Sequence, residues 1–145
     1  MSARRMVTLS ILVLAAALVL VPMAAMASDA KTVKSKTQEA AKYLSEKGKA
    51  GLAEFSDTSS KWAQTPYIFV YDLKGTIIAH GSNPKLVGKN LMGLKDVKGN
   101  MFAAEFVAVA KNKGHGWVEY WWPKKGSKVP EQKVSYIVRV PNQDM

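Results

Sequence analysis

The sequence predicts an α+β fold in which a long N-terminal helix packs on an antiparallel sheet. Three observations predict it. From Ala30 to Phe55, small or apolar residues recur every three or four positions (Val33, Thr37, Ala40/Ala41, Leu44, Gly48, Gly51/Leu52, Phe55), which marks one helix face. From Tyr67 to His80, two β-prone runs flank Asp72-Leu73-Lys74-Gly75, a turn sequence. Two more alternating runs, Gly116–Trp122 and Lys133–Val140, follow a second short helical segment. The order is α-β-β-α-β-β, and short turns between successive strands imply antiparallel pairing. A chain of 145 residues has room for one such domain.

The first 27 residues read as an export signal. Arg4 and Arg5 make a positive start, Val7–Val21 is an apolar run, Pro22 breaks it, and Ala25-Met26-Ala27 has the small-x-small pattern of a cleavage site. Cutting after Ala27 leaves one domain, residues 28–145. The alternative is an uncleaved membrane anchor, because the apolar run nearly reaches spanning length. No later segment could span a bilayer.

In the helix Ala30–Phe55, Lys and Glu fill the face opposite the apolar one. Gly48 and Gly51 lower its propensity and either admit a close neighbour or mark where it weakens. Ser56–Ser60 ends it, Trp62 caps the core, and Pro66 sets the entry to the first strand. Along that strand Tyr67, Phe69 and Tyr71 point one way, Ile68 and Val70 the other. Gly75 supplies the positive φ of the turn. The second strand runs from Thr76 to His80, and Gly81–Asn90 is a loop. After a polar connector, Asn100 is placed to cap a helix Met101–Asn112 whose Phe102, Phe106 and Val109 form a stripe. Gly114 suits a left-handed C-terminal position. In the third strand Val118, Tyr120 and Trp122 share a face, with Trp117, Glu119 and Trp121 on the other. In the fourth, Val134, Tyr136, Val138 and Val140 alternate with Lys133, Ser135, Ile137 and Arg139, and Pro141–Asp144 is another turn.

Charge and composition exclude several functions. Lys and Arg number 21 against 11 Asp and Glu, but beyond the export segment Arg139 is the only arginine. Lysine lacks the planar fork that reads bases and phosphates, so the basic surface reads as solvated and no nucleic-acid partner is expected. Without cysteine there is no disulfide, thiol nucleophile or zinc-thiolate site. The two histidines lie far apart, and no nucleophile elbow, zinc motif or phosphate loop occurs, so neither an enzyme nor a cofactor is expected. Asp96-Val97-Lys98-Gly99-Asn100 puts lysine where a calcium loop needs an oxygen, so no metal is expected there either.

The runs YIFVYDLKGTIIAHGSNPKLVGKNL, KDVKGNMFAAEFV, GHGWVEYWWPK and KVSYIVRV, in this order, resemble the single Cache domain type 2 family, as a solitary exported member. The likeness covers about Glu39 to Pro141. It implies a PAS-like extracytoplasmic sensor domain, periplasmic or secreted, with a ligand held between the sheet and a covering loop. That family usually adds a strand after the turn matching Pro141–Asp144; no such final strand follows in this sequence, which implies either a fragment or an open sheet edge. Many relatives sit between membrane helices and feed a chemoreceptor or kinase; the expectation here is a domain that acts with a separate membrane partner. Carried over residue by residue, the likeness implies a site of Tyr71, His80, Tyr120, Trp122, Lys133 and Tyr136, with Lys133 pairing with the carboxylate of a small organic acid. By strict alternation Tyr136 and Lys133 face opposite ways, so both line one pocket only if a bulge or twist intervenes. The expected partners are a small organic anion and a separate membrane receptor or transporter. The alternatives are an envelope interaction module without a ligand and a membrane-anchored sensor fragment.

Overall fold

Helix α1 spans Met23–Lys47 in the computed structural model, which describes residues 23–145. The expected export segment thus falls, for residues 1–22, outside the described residues. Ala40, Ala41 and Leu44 are buried on the predicted face of α1. The helix does not continue to Phe55. Gly48 takes φ +59, which ends the α-helical ladder. A single 3-10 turn, Gly48–Gly51, and a short helix α2, Leu52–Ser56, follow. At Gly51 a Cβ would lie 2.8 Å from the Tyr43 ring, so this glycine admits a close neighbour. The redirected chain stacks Phe55 on Trp62, with ring centroids 4.7 Å apart and planes at 14°. Trp62 is 1% exposed, so it lies within the core rather than capping it.

Strands β1 (Phe69–Tyr71) and β2 (Ile77–His80) form the first hairpin, with a bulge between Val70 and Tyr71. Its turn is built by Asp72, whose carboxylate accepts the N–H groups of Lys74 and Thr76, while Gly75 sits at φ +83. Tyr67 precedes the ladder. The neighbouring Ile68 N–H donates to the Trp62 carbonyl at 2.8 Å.

Helix α3, Phe102–Lys113, ends at Gly114 with φ +76, as expected. Its start differs from the expectation. The N-cap position is Met101, and the Asn100 amide donates instead to Asp96 at 3.0 Å. Asp96 also accepts the N–H groups of Lys98, Asn100 and Trp121. Burial alone would raise the Asp96 carboxyl, but these donors outweigh it and hold its pKa at about 2. The carboxylate organises the loop and ties it to the next strand.

Strands β3 (His115–Pro123) and β4 (Pro130–Val138) pair antiparallel without interruption, from His115 opposite Val138 to Pro123 opposite Pro130. The antiparallel sheet therefore comes in two halves, β1-β2 and β3-β4, with no strand between β1 and β4 among the described residues. Alternation gives the sheet two apolar faces. Ile68, Val70, Ala79 and Val140 pack with Leu44, Phe55 and Trp62 on the α1 side. Ile77, Val118 and Tyr120 pack with Phe102 and Phe106 of α3 on the other. Among the described residues no helix is long and apolar enough to cross a membrane.

Candidate functional site

On the α3 side, the odd-numbered residues of β1 meet the face of β3 that carries Tyr120 and Trp122. Tyr67, Phe69, Tyr71, Tyr120 and Trp122 wall a cavity of about 20 Å³, closed by His80 and by Leu86 of the loop. The rings pack at angles: Phe69 is stacked on Phe106 at 5.6 Å, and Tyr71 meets Phe106 edge-on at 5.7 Å. Beside this cavity, against its Tyr67 and Tyr120 walls, stands Lys133, opposite Tyr120 on the ladder; it lines a neighbouring groove of about 500 Å³ that Tyr67, Phe69 and Tyr71 also border. Its ammonium donates to the Tyr67 hydroxyl at 2.7 Å and lies 4.9 Å from the Tyr67 ring centre and 5.8 Å from that of Tyr120. Among the described residues Lys133 forms no ion pair; the two salt bridges there are Lys61–Glu39 and Lys124–Glu131.

The environment fixes the protonation of the polar groups. His80 is 5% exposed, and its Nδ1 accepts the Asn83 N–H at 3.1 Å, which leaves the ring proton on Nε2. Burial, and then the nearby Lys133 charge, push its pKa down to about 4, so it is a neutral N–H donor at physiological pH. Burial also raises the Tyr71 and Tyr120 hydroxyls, which stay protonated. The cavity thus combines neutral O–H and N–H donors with apolar walls, and one cation lies beside it. Such a set receives a compact anion; it holds no carboxylate to act as a base and no nucleophile beside one.

Of the six residues implied by the family likeness, Tyr71, His80, Tyr120 and Trp122 line this cavity, and Lys133 lies next to it, bonded to Tyr67. Tyr136 does not join them. It is opposite Trp117 on the unbroken β3-β4 ladder, its hydroxyl bonds His115 Nδ1 at 3.0 Å, and Lys34 of α1 lies over its ring. The bulge lies instead in the first hairpin, where Ile78 of β2 is the unpaired residue. Tyr67 was missed, although it shares a strand face with Tyr71; its bond to Lys133, 66 residues away, has no local signal.

A helix–sheet–helix fold with an aromatic cavity under one helix and a lysine beside it is of the PAS-like, small-molecule-binding type. The profile of the Cache domain family matches residues 52–144, and the chain belongs to that family. Over 71 residues it is 39% identical to the methyl-accepting chemotaxis protein McpP of Pseudomonas putida, covering 49% of this chain but only 13% of that protein. Among solved structures, a periplasmic sensor domain of a chemotaxis protein superposes with a TM-score of 0.62 at 27% identity, over 82% of this chain and 88% of that one. A second, described as a Cache chemosensory domain that recognises carboxylic acid, gives 0.60 at 30% identity, over 80% and 84%. A methyl-accepting chemotaxis protein from Vibrio parahaemolyticus shares the fold, with 0.60 at 22% identity over 77% and 80%.

Proposed function

We propose that this chain is an extracytoplasmic sensor domain that binds a small carboxylate, with Lys133 and Tyr67 holding the carboxylate and Tyr71, His80, Tyr120 and Trp122 enclosing the remainder. One observation carries the reading: a half-buried ammonium with no ion-pair partner among the described residues is bonded to Tyr67, a wall residue of an otherwise apolar, hydrogen-bond-donating cavity. An unpaired charge in such a place is costly, and an anionic ligand offsets that cost. The carboxylic-acid recognition attributed to one structural neighbour supports the same class of ligand. A cavity of about 20 Å³ holds a water molecule or two, so an acid of two or three carbons enters by displacing Leu86 and the rim. Binding is passed to a membrane receptor or transporter partner, with the export signal placing the domain outside the cytoplasm. Thermal-shift titration with acetate, propionate, lactate and pyruvate, against matched chloride, tests this. A ligand at 100 times its Kd stabilises by about 2.7 kcal/mol and raises the melting temperature by several degrees. No rise for any short carboxylate at tens of millimolar rejects the reading.

A further inference from the structure

One end of the β3-β4 ladder carries an exposed patch away from the aromatic cavity. There the chain reverses between Pro123 and Pro130, and the hairpin tip exposes Lys124, Lys125, Lys128 and Val129. The connector before α3 is tied to the same end. The Asp96 carboxylate accepts the Trp121 N–H at 2.9 Å, and the Lys98 ammonium lies 4.9 Å from the centre of the Trp121 ring. Exposed Leu94, Val97 and Met101, with Lys95 and Lys98, are thereby held beside the tip. Val129 at 66% and Val97 at 62% are the most exposed large apolar side chains among the described residues.

The charge of this end is one-sided. Its carboxylates are Asp96 and Glu131, and both are engaged. Asp96 accepts the bonds that hold the connector, and Glu131 is paired with Lys124. Five lysines against two carboxylates leave +3. Helix α1 begins toward the same end. Lys34 lies over the Tyr136 ring, Ala40, Ala41 and Leu44 pack with Val140 and Met145, and Gly48 neighbours Gln143. The helix therefore runs alongside β4 in the same direction. Helical rise carries it about 16 Å back from Lys34 to Met23, and strand rise carries β4 about 20 Å back from Tyr136 to Pro130. In the sequence α1 follows the apolar run Val7–Val21, the part of the chain expected to enter a membrane as signal or anchor.

We infer that this end is a docking surface for an anionic lipid bilayer. The lysines sit in the headgroup field, and Val97 and Val129 enter the interface between lipids. Three features favour lipid over a folded partner. The apolar residues are aliphatic and separated by lysines, where a protein interface would join them in one packed core. No aromatic anchor is exposed within the patch, because Trp121 is half-buried under Lys98. The cations are all lysine, a hydrated point charge suited to a diffuse layer of headgroups more than to a fixed carboxylate. The inference does not rest on the carboxylate reading. Lys124 and Lys125 also border the groove beside Lys133, so the test leaves them in place. Lys95, Val97, Lys128 and Val129 border neither that groove nor the aromatic cavity.

The test uses residues 28–145, because both apolar cores lie within Ala40–Met145 and need nothing from the apolar run. Flotation is measured with vesicles of phosphatidylcholine alone and with one quarter phosphatidylglycerol. Binding to the anionic vesicles is expected to be at least tenfold tighter than to phosphatidylcholine, and to be lost in half-molar sodium chloride. Lys95→Glu with Lys128→Glu weakens it at least tenfold, and Val97→Ser with Val129→Ser at least threefold. Lys111→Glu with Lys113→Glu, at the far end of α3, changes the net charge equally but weakens binding less than threefold. All these side chains are exposed, and melting curves within a few degrees of the parent show that each variant is folded. The inference is overturned by absent flotation, by equal binding to the two vesicle types, or by full binding of the valine variant. Equal losses from the two charge reversals assign the attraction to net charge alone and overturn it too. So does retention on polyglutamate beads without flotation, abolished by Lys95→Glu with Lys128→Glu, which assigns the surface to an acidic protein.

Discussion

Replacing Lys133 with methionine keeps most of the aliphatic stem and removes the charge, and so separates binding from stability. In the ligand-free protein the change loses the 2.7 Å bond to Tyr67 and the position over two tyrosine rings. Cation–π contacts of this kind contribute about 0.5–1 kcal/mol each. The change also removes the desolvation cost of a half-buried ammonium without an ion-pair partner, which acts in the opposite direction. The two nearly cancel, and Lys133→Met is expected to shift stability by less than about 1 kcal/mol, or a few degrees in melting temperature. With a carboxylate bound, the variant lacks a charge-assisted hydrogen bond that contributes about 1.5–3 kcal/mol. At 1.4 kcal/mol per tenfold, affinity falls about 10- to 100-fold. Melting curves with and without ligand, and calorimetric titration of the best acid, measure both quantities. Unchanged affinity in a folded Lys133→Met protein refutes the role given to Lys133.

The remaining predictions concern Tyr67, His80 and the core. Tyr67→Phe removes the hydroxyl that accepts from Lys133 and weakens carboxylate binding about 3- to 10-fold by calorimetry, with a stability change under about 1 kcal/mol. His80 has its pKa lowered from 6.5 to about 4, so the unfolded chain binds more protons between those values. The stability it contributes is present above pH 6.5 and is lost as pH falls toward 4, by about 3 kcal/mol in all; urea titrations across that range show the slope, and His80→Gln flattens it. Gly75→Ala forces φ +83 on alanine and puts its Cβ 2.2 Å from Met92 Cγ, lowering stability by about 1–3 kcal/mol. Adding Met92→Ala recovers the steric part and leaves about 1 kcal/mol from the backbone. Phe55→Ala empties the stack against Trp62 and costs about 3–5 kcal/mol by chemical denaturation.

The elements legible in the sequence were those fixed by local periodicity. Alternation placed Tyr67, Phe69 and Tyr71 on one face and Ile68 and Val70 on the other, because side-chain direction in a strand depends only on parity. The turn at Gly75 and the helix end at Gly114 were legible for a similar reason: each needs positive φ that other residues rarely adopt. The expected helix from Ala30 to Phe55 overran because its apolar spacing continues through Gly48, whereas the left-handed turn there is set by tertiary packing of Phe55 on Trp62. Asn100 had the chemistry of a cap, but Asp96, four residues earlier, took its amide. The site divides along the same line. Tyr71, His80, Tyr120 and Trp122 line one cavity and Lys133 lies beside it, while Tyr136 obeyed its parity and faced α1. The Tyr67–Lys133 bond and the division of the sheet into two halves depend on contacts between distant segments, which no local pattern encodes.

The central claim is that a carboxylate sits between Lys133 and the aromatic wall, and a crystal structure of the domain grown with the tightest-binding short acid tests it most directly. The account predicts carboxylate oxygens within hydrogen-bond distance of Lys133 Nζ and the Tyr67 hydroxyl, with the carbon chain against Tyr71, Tyr120 and Trp122. An acid bound away from Lys133, or without its carbon chain against Tyr71, Tyr120 and Trp122, would contradict it.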